Sequence, residues 1–407
     1  MTELKESLKN LSELENAALA CAQCGQCRVA NWPSKGIFYS CPVYKVNNLF
    51  EPYNARGKNL IMKGLLWGHL KLSQDISDVI FQCTLCGLCE EVCFNAQSEN
   101  FDFPLHNLMD HVNTYEALRA DLVAAGYPIE SQVPMNKAMV ELYNPYERDN
   151  KEKIKWTEEV DFEIKDASKE DAETLYFVGC TSALTPQIRQ VAIATAKIFN
   201  KLGIDFSMFG EHEVCCGSVG MRTGDRKSFG KVVEANVKLF KERGIKRIIT
   251  SCAGCYRTFK KDYGENLEGI EVLHTIEFLN NIINENNIQL KNLGIETTYH
   301  DPCHLGRHVG IYEEPREILN KISNLTEMKT NRNGAMCCGA GGGVRKGFPE
   351  LSLDMAKNRI QEAEETGAEY LVSTCPFCYR NLSDAIEEVN SNLKMVDLVE
   401  LLLKTLP

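Results

Sequence analysis

The arrangement of its cysteines constrains this chain more than any other feature. The sequence has 407 residues and 18 cysteines, and every cysteine falls into a patterned group. Eight lie in the first hundred residues: Cys21, Cys24, Cys27, Cys41, Cys83, Cys86, Cys89 and Cys93. The other ten form two matching sets of five: Cys180, Cys215, Cys216, Cys252 and Cys255, then Cys303, Cys337, Cys338, Cys375 and Cys378. Thiolates are soft metal ligands, and no cysteine is left outside a group. The pattern therefore predicts an iron–sulfur protein.

The composition argues against several other classes of protein. Hydrophobic residues make up 44% of the chain and charged residues 25%, which is ordinary for a globular protein. The net charge of -11 argues against nucleic acid as the main partner, because phosphate binding requires a basic surface. No stretch approaches the ~18 apolar residues of a membrane span, and residues 1–16 lack the features of a secretory signal. We therefore expect a cytoplasmic protein with no membrane span of its own, for which a disulfide scaffold is the disfavoured alternative.

Two runs near the N-terminus have the ligand spacing of bacterial ferredoxins, in which three thiolates bind one cubane and a fourth reaches across to a second. The predicted ligands of one cluster are Cys21, Cys24, Cys27 and Cys93. Those of the other are Cys83, Cys86, Cys89 and Cys41. The insertion from Arg28 to Ser40, and Phe94 in place of the usual proline, depart from the ferredoxin pattern. Two zinc sites with four thiolates each are the alternative.

The segment between the two runs is predicted to be helical, with helices near Ile61–Leu66 and Asp75–Phe81. These helices indicate the all-helical version of a two-cluster ferredoxin domain. Arg56, Lys58 and Lys63 are basic in an acidic protein. They could raise the potential of a cluster or face an acidic partner, or they could lie on a solvated helix face.

Residues 127–173 contain no cysteine and are rich in charge. The pattern predicts a short helix near Asn136–Leu142 and then an exposed connector. We interpret the segment as a tether, and docking of a partner subunit is the alternative.

The two sets of five cysteines belong to an internal repeat. Cys180 and Cys303 are 123 residues apart, and the other pairs repeat at 122 or 123. Gly217 and Gly339, which follow the adjacent cysteines, match at an offset of 122. A constant offset carried through several residue types indicates a duplicated domain.

Each copy is predicted to alternate strands with helices. The expected strands run into Cys180 and Cys252 in the first copy and into Cys303 and Cys375 in the second. A helix over Val396–Leu403 is expected to close the second copy. Such alternation implies a parallel sheet, with the cysteines at the C-terminal ends of the strands, where these folds bind ligands.

Five cysteines per copy exceed the four that a cubane needs. Two of the five are adjacent, so their sulfurs can bind neighbouring or shared irons. Gly217 and Gly339 let the backbone approach a cluster and donate N–H groups to its sulfides. A cubane with one spare thiol, or a zinc ion, is the alternative.

The repeated order of a cysteine, a Cys-Cys-Gly run and a Cys-x-x-Cys resembles the CCG domains of heterodisulfide reductases, and so does the run HDPCHLG at His300–Gly306. A two-cluster ferredoxin module ahead of two CCG domains is similar to the D subunit of that family, a fusion of C and B subunits. The expected fold is an α+β multidomain protein with pseudo-two-fold symmetry between the copies. Its parts are an all-helical ferredoxin domain at 1–126, a linker at 127–173, and duplicated α/β CCG domains at 174–290 and 291–407.

The resemblance implies that each set of five cysteines holds a noncubane 4Fe–4S cluster and acts in catalysis. Together the two clusters would cleave the disulfide CoM-S-S-CoB to two thiols, with electrons supplied through two cubanes and no flavin in this chain. His304, with His300 and Asp301, could protonate a departing thiolate, or these residues could only shape the loop around Cys303.

A redox partner is expected, either a membrane b-type cytochrome or a flavoprotein, and it could hold the chain at the inner face of the membrane. The alternative function is an electron-relay subunit of a flavin-linked hydroxyacid or glycerol-3-phosphate dehydrogenase, since iron–sulfur subunits of such enzymes belong to the wider family.

Overall fold

The computed structural model of the protein describes residues 7–28, 39–93 and 108–406. Most of the insertion between Arg28 and Ser40 lies outside the described residues, and so does Phe94. The chain divides into two compact units. The first unit contains residues 1–133, 219–226 and 329–359, and the second contains residues 134–218, 227–328 and 360–407.

Seven α-helices occupy the described residues that precede residue 133. They are α1 (Lys9–Glu13), α2 (Glu15–Leu19), α3 (Pro42–Val46), α4 (Ala55–Leu66), α5 (Gln74–Phe81), α6 (Leu88–Glu91) and α7 (His111–Ala124). Asn54, Ser73 and Asp110 accept a backbone N–H at the starts of α4, α5 and α7, which satisfies donors that have no partner within the helix. The helices predicted near Ile61–Leu66 and Asp75–Phe81 are confirmed as α4 and α5.

Helix α7 is buried on almost every side, although it carries charged residues. Glu116 and Arg119 have no exposed surface, and Asp121 is 2% exposed. Charged groups in such positions need polar partners. Asp121 accepts the backbone N–H groups of Asn10 and Leu11, both at 2.9 Å, and so ties α1 to α7.

The second unit contains two parallel sheets. Their strands are β1 (Lys165–Asp166), β2 (Thr174–Phe177), β3 (Ser207–Met208), β4 (Arg247–Thr250), β5 (Glu271–His274), β6 (Glu296–Tyr299), β7 (Asn324–Leu325), β8 (Tyr370–Ser373) and β9 (Lys394–Asp397). The strand orders are β1-β3-β2-β4-β5 and β7-β6-β8-β9. Leu175 and Ile248 in the first sheet, and Leu371 in the second, have no exposed surface, as strands covered on both faces require. The predicted mixture of helices and parallel sheet is confirmed.

The remaining α-helices follow α7 along the chain. They are α8 (Val133–Glu141), α9 (Cys180–Leu184), α10 (Arg189–Lys201), α11 (Ser218–Arg222), α12 (Arg226–Glu242), α13 (Ala253–Arg257), α14 (Thr275–Glu285), α15 (Gly306–Val309), α16 (Glu313–Ile322), α17 (Val344–Gly347), α18 (Pro349–Glu364), α19 (Pro376–Glu388) and α20 (Leu398–Leu403). Within the described ranges, no helix is long and apolar enough to cross a membrane.

Helices of one repeat pack on helices of the other inside the second unit. Helix α10 contacts α20, and α14 contacts α16. At the offset of the repeat, α10 corresponds to α16 and α14 to α20, so the two contacts are reciprocal. Asn280 of α14 donates to Glu317 of α16 at 2.7 Å, and Lys201 at the end of α10 donates to the backbone oxygen of Leu406 at 3.1 Å.

The segment predicted to be an exposed connector is packed instead. Strand β1 adds to the edge of the first sheet, Trp156 has no exposed surface, and Lys153 is 2% exposed. The backbone oxygen of Tyr143 accepts the N–H of Cys215 at 2.9 Å. The high charge of the segment suggested exposure, but a single buried tryptophan and a buried lysine decide its packing. The helix predicted near Asn136–Leu142 is confirmed as α8.

Several predicted boundaries are wrong. Strands β4, β6 and β8 end at Thr250, Tyr299 and Ser373, before the cysteines that they were expected to reach. Strand β2 ends at Phe177, and Cys180 already begins helix α9, because the chain turns at Gly179 with a φ of +79°. The helix predicted over Val396–Leu403 begins only at Leu398, since the preceding residues form β9. A short apolar run does not distinguish a buried strand from a buried helix.

Candidate metal centres

Four cysteines of the first unit line one cavity. They are Cys41, Cys83, Cys86 and Cys89. Cys41 is the residue before α3, and the other three come from the chain between α5 and the end of α6. Lys58 from α4 and Tyr115 from α7 complete the wall of the cavity. The structure therefore brings together the four cysteines that the sequence assigns to one cluster.

The other four N-terminal cysteines line a second cavity. They are Cys21, Cys24, Cys27 and Cys93. Arg56 and Asn59 from α4, and His111 from α7, line the same cavity. The two cavities thus exchange their fourth cysteine, as the ferredoxin pattern requires.

Both cysteine loops turn backbone N–H groups toward a sulfur. The N–H of Gln23 lies 3.4 Å from the Sγ of Cys21, and the N–H of Leu85 lies 3.4 Å from the Sγ of Cys83. Gln23 and Leu85 have φ values of 58° and 55°, in the left-handed region. N–H groups turned inward in this way form a concave site for anions. The loops are therefore shaped to hold negatively charged sulfur.

The burial of these thiols has a consequence for their ionisation. Burial raises the pKa of Cys41 to about 12. Burial, reinforced by the neighbouring Cys21 and Cys93, raises the pKa of Cys27 to about 12. Four thiolates in such a cavity therefore need positive charge among them, which bound iron supplies. The donor set and the turned N–H groups fit 4Fe–4S clusters.

The basic residues of α4 lie beside these cavities. Lys58 is 1% exposed and donates to a backbone carbonyl, and Lys63 is 8% exposed and donates to the backbone oxygen of Cys21 at 2.7 Å. A solvated helix face is therefore wrong for these two residues. Arg56 is half-buried and pairs with Glu51, with 3.5 Å between Nε and Oε1.

The first set of five cysteines forms a continuous group in the second unit. Neighbouring sulfurs are hydrogen-bonded in the order Cys180, Cys215, Cys216, Cys255, Cys252. Hydrogen bonds from Cys215 and Cys255 lower the pKa of Cys216 to about 6. The hydrogen bond to Cys215 raises the pKa of Cys180. One thiolate is thus favoured within the group.

The parallel sheet explains why these cysteines meet. Strands β2 and β4 are parallel neighbours, so the chain leaves both at the same edge and reaches Cys180 and Cys252 there. The backbone oxygen of Cys215 accepts the side-chain amide of Asn236 at 2.9 Å. This hydrogen bond holds the loop of adjacent cysteines over the strand ends.

The Cys-x-x-Cys motifs of the two copies meet as well. The sulfurs of Cys252 and Cys375 are hydrogen-bonded to each other, and Cys375 is also hydrogen-bonded to Cys378. Cys252 follows β4, and Cys375 follows the equivalent strand β8. Cysteines from both repeats therefore lie close enough to interact inside the second unit.

The glycines after the adjacent cysteines adopt the same conformation in both copies. Gly217 has a φ of +85°, and Gly339 has a φ of +89°. The N–H of Gly217 lies 3.5 Å from the Sγ of Cys215, and the N–H of Gly339 lies 3.4 Å from the Sγ of Cys337. Each glycine thus presents a donor to sulfur from a backbone conformation that other residues rarely adopt.

The second set of five cysteines is divided between the units. Cys337 and Cys338 belong to the first unit, and Cys303, Cys375 and Cys378 belong to the second. All five are buried. The binding of one cluster by this set stays a prediction.

The polar residues around Cys303 have distinct surroundings. The Nδ1 of His304 lies 3.2 Å from the Sγ of Cys303, and its ring stacks on His308 with 4.3 Å between centroids. Burial lowers the pKa of His304 to about 3, so the ring is neutral. The carboxylate of Asp301 accepts two N–H groups of Arg316, at 2.7 and 2.9 Å. A carboxylate bound in this way helps to shape the loop around Cys303.

A buried ion pair between the first copy and the segment ahead of it was not indicated by the sequence. The carboxylate of Glu213 accepts the N–H groups of Val178 and Gly179 at 2.8 and 3.0 Å, and the ammonium of Lys153 lies 4.0 Å away. These contacts set the turn before Cys180. An isolated charge in a polar segment carries no signal that it will be buried, so the sequence could not identify either residue.

Comparisons with known proteins agree with this architecture. The family model of the cysteine-rich CCG domain matches residues 174–260 and 297–383, and that of the 4Fe-4S dicluster domain matches residues 17–96. The D subunit of the dihydromethanophenazine:CoB–CoM heterodisulfide reductase of Methanosarcina mazei is 35% identical, over 98% of this chain and 96% of its own. The EtfAB:quinone oxidoreductase of Syntrophomonas wolfei is 29% identical over 81% of this chain and 47% of its own.

Among solved structures, a hypothetical protein from Helicobacter pylori shares the fold. Its TM-score is 0.55 at 12% identity, and the match covers 86% of this chain and 67% of that one. Fold, cysteine sites and relatives together define an iron–sulfur oxidoreductase subunit that binds 4Fe–4S clusters. Within that class, the chain belongs to the family of heterodisulfide reductase D subunits.

Proposed function

We propose that the protein relays electrons through two 4Fe–4S cubanes to two noncubane 4Fe–4S clusters, which reduce a disulfide. The cubane ligands would be Cys21, Cys24, Cys27 and Cys93, and Cys83, Cys86, Cys89 and Cys41. The noncubane ligands would be Cys180, Cys215, Cys216, Cys252 and Cys255, and Cys303, Cys337, Cys338, Cys375 and Cys378. The family suggests CoM-S-S-CoB as the disulfide, because the relative from Methanosarcina mazei is named for CoB and CoM.

The observation that carries this proposal is the interaction between the thiol groups of Cys252 and Cys375, which follow equivalent parallel strands. Cleavage of a disulfide takes up two electrons and two protons and produces two thiols, so a reductase needs a place for two nascent thiolates. Two cysteine groups that meet at equivalent strand ends offer such a place, whereas a relay needs only a sequence of separate sites.

The clusters, when bound, supply the electrons and the iron atoms that receive sulfur. The chain would contribute the shape and the proton of the site. Gly217 and Gly339 donate backbone N–H groups toward sulfur. His304, 3.2 Å from the Sγ of Cys303, would take up a proton when negative charge forms at the site and relay it to a departing thiolate.

Several structural details belong to the same proposal. The ferredoxin region would be an all-helical domain, and the reciprocal contacts of α10 with α20 and of α14 with α16 support a pseudo-two-fold axis between the CCG copies. The domains would divide at 1–126, 127–173, 174–290 and 291–407. We place the protein in the cytoplasm, bound to a b-type cytochrome or a flavoprotein that supplies electrons and can hold it at the inner face of the membrane.

The first test is cluster content. Anaerobically prepared protein should contain about 16 irons, four in each of four clusters, and no zinc. A content of about 8 irons would correspond to the two cubanes without the noncubane clusters, and it would overturn the proposed disulfide reduction. EPR of the oxidised protein treated with the thiol products should then reveal a signal that the untreated protein lacks.

The second test is activity with reduced methyl viologen and CoM-S-S-CoB. The loaded protein should reduce the disulfide, and a Cys338→Ala variant should not. His304→Asn should lower the rate by about 100-fold or more, as expected for loss of a proton donor. His212→Asn is the matched control, because His212 is exposed at the surface of the second unit. Equal rates in the two histidine variants would remove His304 from the proposal.

A second candidate function is electron relay without a substrate. The likeness to the EtfAB:quinone oxidoreductase favours it, because that relative carries quinone rather than disulfide in its name. Co-purification with a flavoprotein, together with 16 irons but no disulfide reduction, would support the relay. Co-purification with a b-type cytochrome and disulfide reduction would support the reductase.

A further inference from the structure

Arg119 of helix α7 occupies an unusual position in the first unit. Its side chain has no exposed surface, and it donates four hydrogen bonds to backbone carbonyl oxygens. One nitrogen donates to Arg222 and Gly342, both at 2.7 Å, and the other donates to Ile80 at 2.9 Å and to Cys83 at 2.5 Å. A single guanidinium therefore joins three distant parts of the chain.

Two of these parts carry predicted cluster ligands. Cys83 lies in the ferredoxin loop, and Gly342 lies in the glycine run that begins immediately after Cys337 and Cys338. The backbones touch at this point, because a Cβ built on Gly342 would lie 2.6 Å from the oxygen of Cys83. The adjacent cysteines of the second CCG copy are thus only a few residues from the loop that holds one ferredoxin cluster.

Further contacts hold the same segments of the chain together. The amide of Gln132 donates to the oxygen of Gly343 at 2.9 Å. Glu116, one turn before Arg119 on the same helix, binds the guanidinium of Arg222 at 2.6 Å with both side chains buried. Helix α7 thereby holds the segment after the first Cys-Cys-Gly run as well as the glycine run of the second. Buried charges are costly unless paired in this way, so their presence indicates a requirement for one fixed arrangement.

We propose that Arg119 is a positioning residue of an electron-transfer junction, through which the cluster at Cys41, Cys83, Cys86 and Cys89 passes electrons to the cluster at Cys337 and Cys338. The inference rests on the proposed function, since it requires clusters at both places. In each step the ferredoxin cluster is oxidised by one electron and the CCG cluster is reduced by one. The cluster at Cys21, Cys24, Cys27 and Cys93 is then the entry point of the chain.

The charge of Arg119 has a second role at the junction. Its guanidinium binds the carbonyl of Cys83 directly, and Lys58 lies buried in the wall of the same cavity. Positive charge near a cluster stabilises its reduced form and raises its potential. Electrons from the entry cluster are thereby drawn to the cluster at Cys83.

The experiment uses the full, cluster-loaded chain with reduced methyl viologen as donor. Rapid-freeze EPR follows the reduction of the cubanes and of the CCG clusters in parallel, and a potentiometric titration measures the cubane potentials. Arg119→Gln removes the positive charge and the N–H donors of the guanidinium group. It should lower the potential of one cubane and slow reduction of the CCG clusters about tenfold or more, in line with the loss of charge-assisted hydrogen bonds. Arg119→Lys keeps the charge, so it should restore the potential while the transfer stays slow.

A pair of glycine variants tests the same junction without removing a charge. Gly342→Ala forces the two loops apart, because its Cβ would meet the oxygen of Cys83. Gly367→Ala is the matched control, since Gly367 has a similar positive φ of +72° and open space around its Cβ position. Gly342→Ala should slow the transfer about tenfold relative to Gly367→Ala. This pair decides the question if the Arg119 variants fail to assemble clusters.

The outcomes separate the two proposals. Wild-type protein with about 8 irons would overturn the proposed function and, with it, the junction. A full set of about 16 irons with equal transfer rates in wild type, the Arg119 variants and Gly342→Ala would overturn the junction alone. Slow transfer at full iron content, with normal reduction of the entry cubane, would establish it.

Discussion

The two CCG copies have equivalent cysteines but surround them with different chemistry. Before Cys180 the first copy has Val178 and Gly179, whose N–H groups bind the carboxylate of Glu213. At the position of Val178 the second copy has Asp301, which binds Arg316. The second copy also places His304 beside its first cysteine, where the first copy has a threonine. The two copies thus share their cysteines, while the polar groups that could take part in proton transfer occur in the second copy.

The turns before the first cysteines are built by different means in the two copies. In the first copy the turn is set by Glu213 and by Lys153, which comes from the segment ahead of the domain. In the second copy the corresponding turn is set by Asp301 and Arg316, which both come from the domain itself. Variants at equivalent positions should therefore behave differently in the two copies.

The largest loss of stability is expected when the buried ion pairs are broken. Arg316→Met removes a guanidinium that holds Asp301 at 2.7 and 2.9 Å, and breaking such a pair costs about 3–5 kcal/mol. Lys153→Met removes an ammonium 4.0 Å from Glu213, which keeps two backbone N–H donors, so we expect a loss of about 1–3 kcal/mol. Anaerobic urea unfolding measures the free energy of unfolding of both variants. Equal losses would contradict this difference between the copies.

The next largest losses of stability are expected for substitutions of the glycines that follow the adjacent cysteines. Gly339→Ala would place a Cβ 2.4 Å from the backbone oxygen of Ser352, and Gly217→Ala would place one 2.7 Å from the ring of Phe229. A ring can shift more easily than a backbone. We expect losses of about 3–4 kcal/mol for Gly339→Ala and about 2 kcal/mol for Gly217→Ala.

Gly367→Ala is again the control for these variants, since its strain comes with no close contact. It should cost about 1 kcal/mol. Thermal unfolding with parallel iron analysis provides the measurement. A Gly217→Ala variant less stable than Gly339→Ala would show that the loop of the first copy is the more rigid one.

The helix caps at equivalent positions should respond to pH in opposite directions. His274 caps α14, and Asp397 caps α20, each in a capping box. Burial lowers the pKa of His274 to about 4 from its ordinary value of 6.5. The folded state therefore binds fewer protons than the unfolded state between these values. The contribution of His274 is fully present above pH 6.5 and is lost, by at most roughly 3 kcal/mol, as the pH falls toward 4.

Asp397 has the opposite sign, because burial raises the pKa of its carboxyl group. In the folded protein Asp397 keeps its proton. Its contribution to stability is therefore lost as the pH rises through the pKa that the carboxyl group has in the folded state. Urea unfolding at several pH values checks both. His274→Asn keeps a side-chain acceptor at the cap but does not titrate, so it should remove the loss of stability between pH 6.5 and 4. An unchanged pH profile in this variant would refute the assignment.

The smallest effect on stability is expected at exposed ion pairs, where equivalent positions in the two copies carry opposite charges. Lys246 and Glu271 of the first copy correspond to Glu369 and Lys394 of the second, and all four are in surface ion pairs. Exposed pairs contribute little to stability. The double variant with Glu369→Lys and Lys394→Glu gives the second copy the signs of the first, and its melting temperature should not change. A measurable change would mean that this surface has a partner within the chain.

Much of the candidate site could be predicted because metal ligands recur at spacings that the sequence displays. The exchange of Cys41 and Cys93 between the two N-terminal runs follows from ferredoxin spacing, and the structure places each with the other run. The repeat of 123 residues predicted two parallel sheets of related design. Strand and helix boundaries were less accurate. The apolar run that begins at Val396 starts as a strand, because pairing with β8 decides its conformation.

The sequence by itself determined the grouping of the cysteines, the duplication and the class of fold, because cysteine spacing and a nearly constant repeat offset can be read without knowing any contact. Only the tertiary structure decided which charges are buried. Lys153 in an apparently exposed connector, and Arg119 in an ordinary helix, each acquire their role from oxygen atoms contributed by distant residues. A local pattern carries no record of those oxygens, since burial of a charge depends on partners that arrive only when the chain is folded.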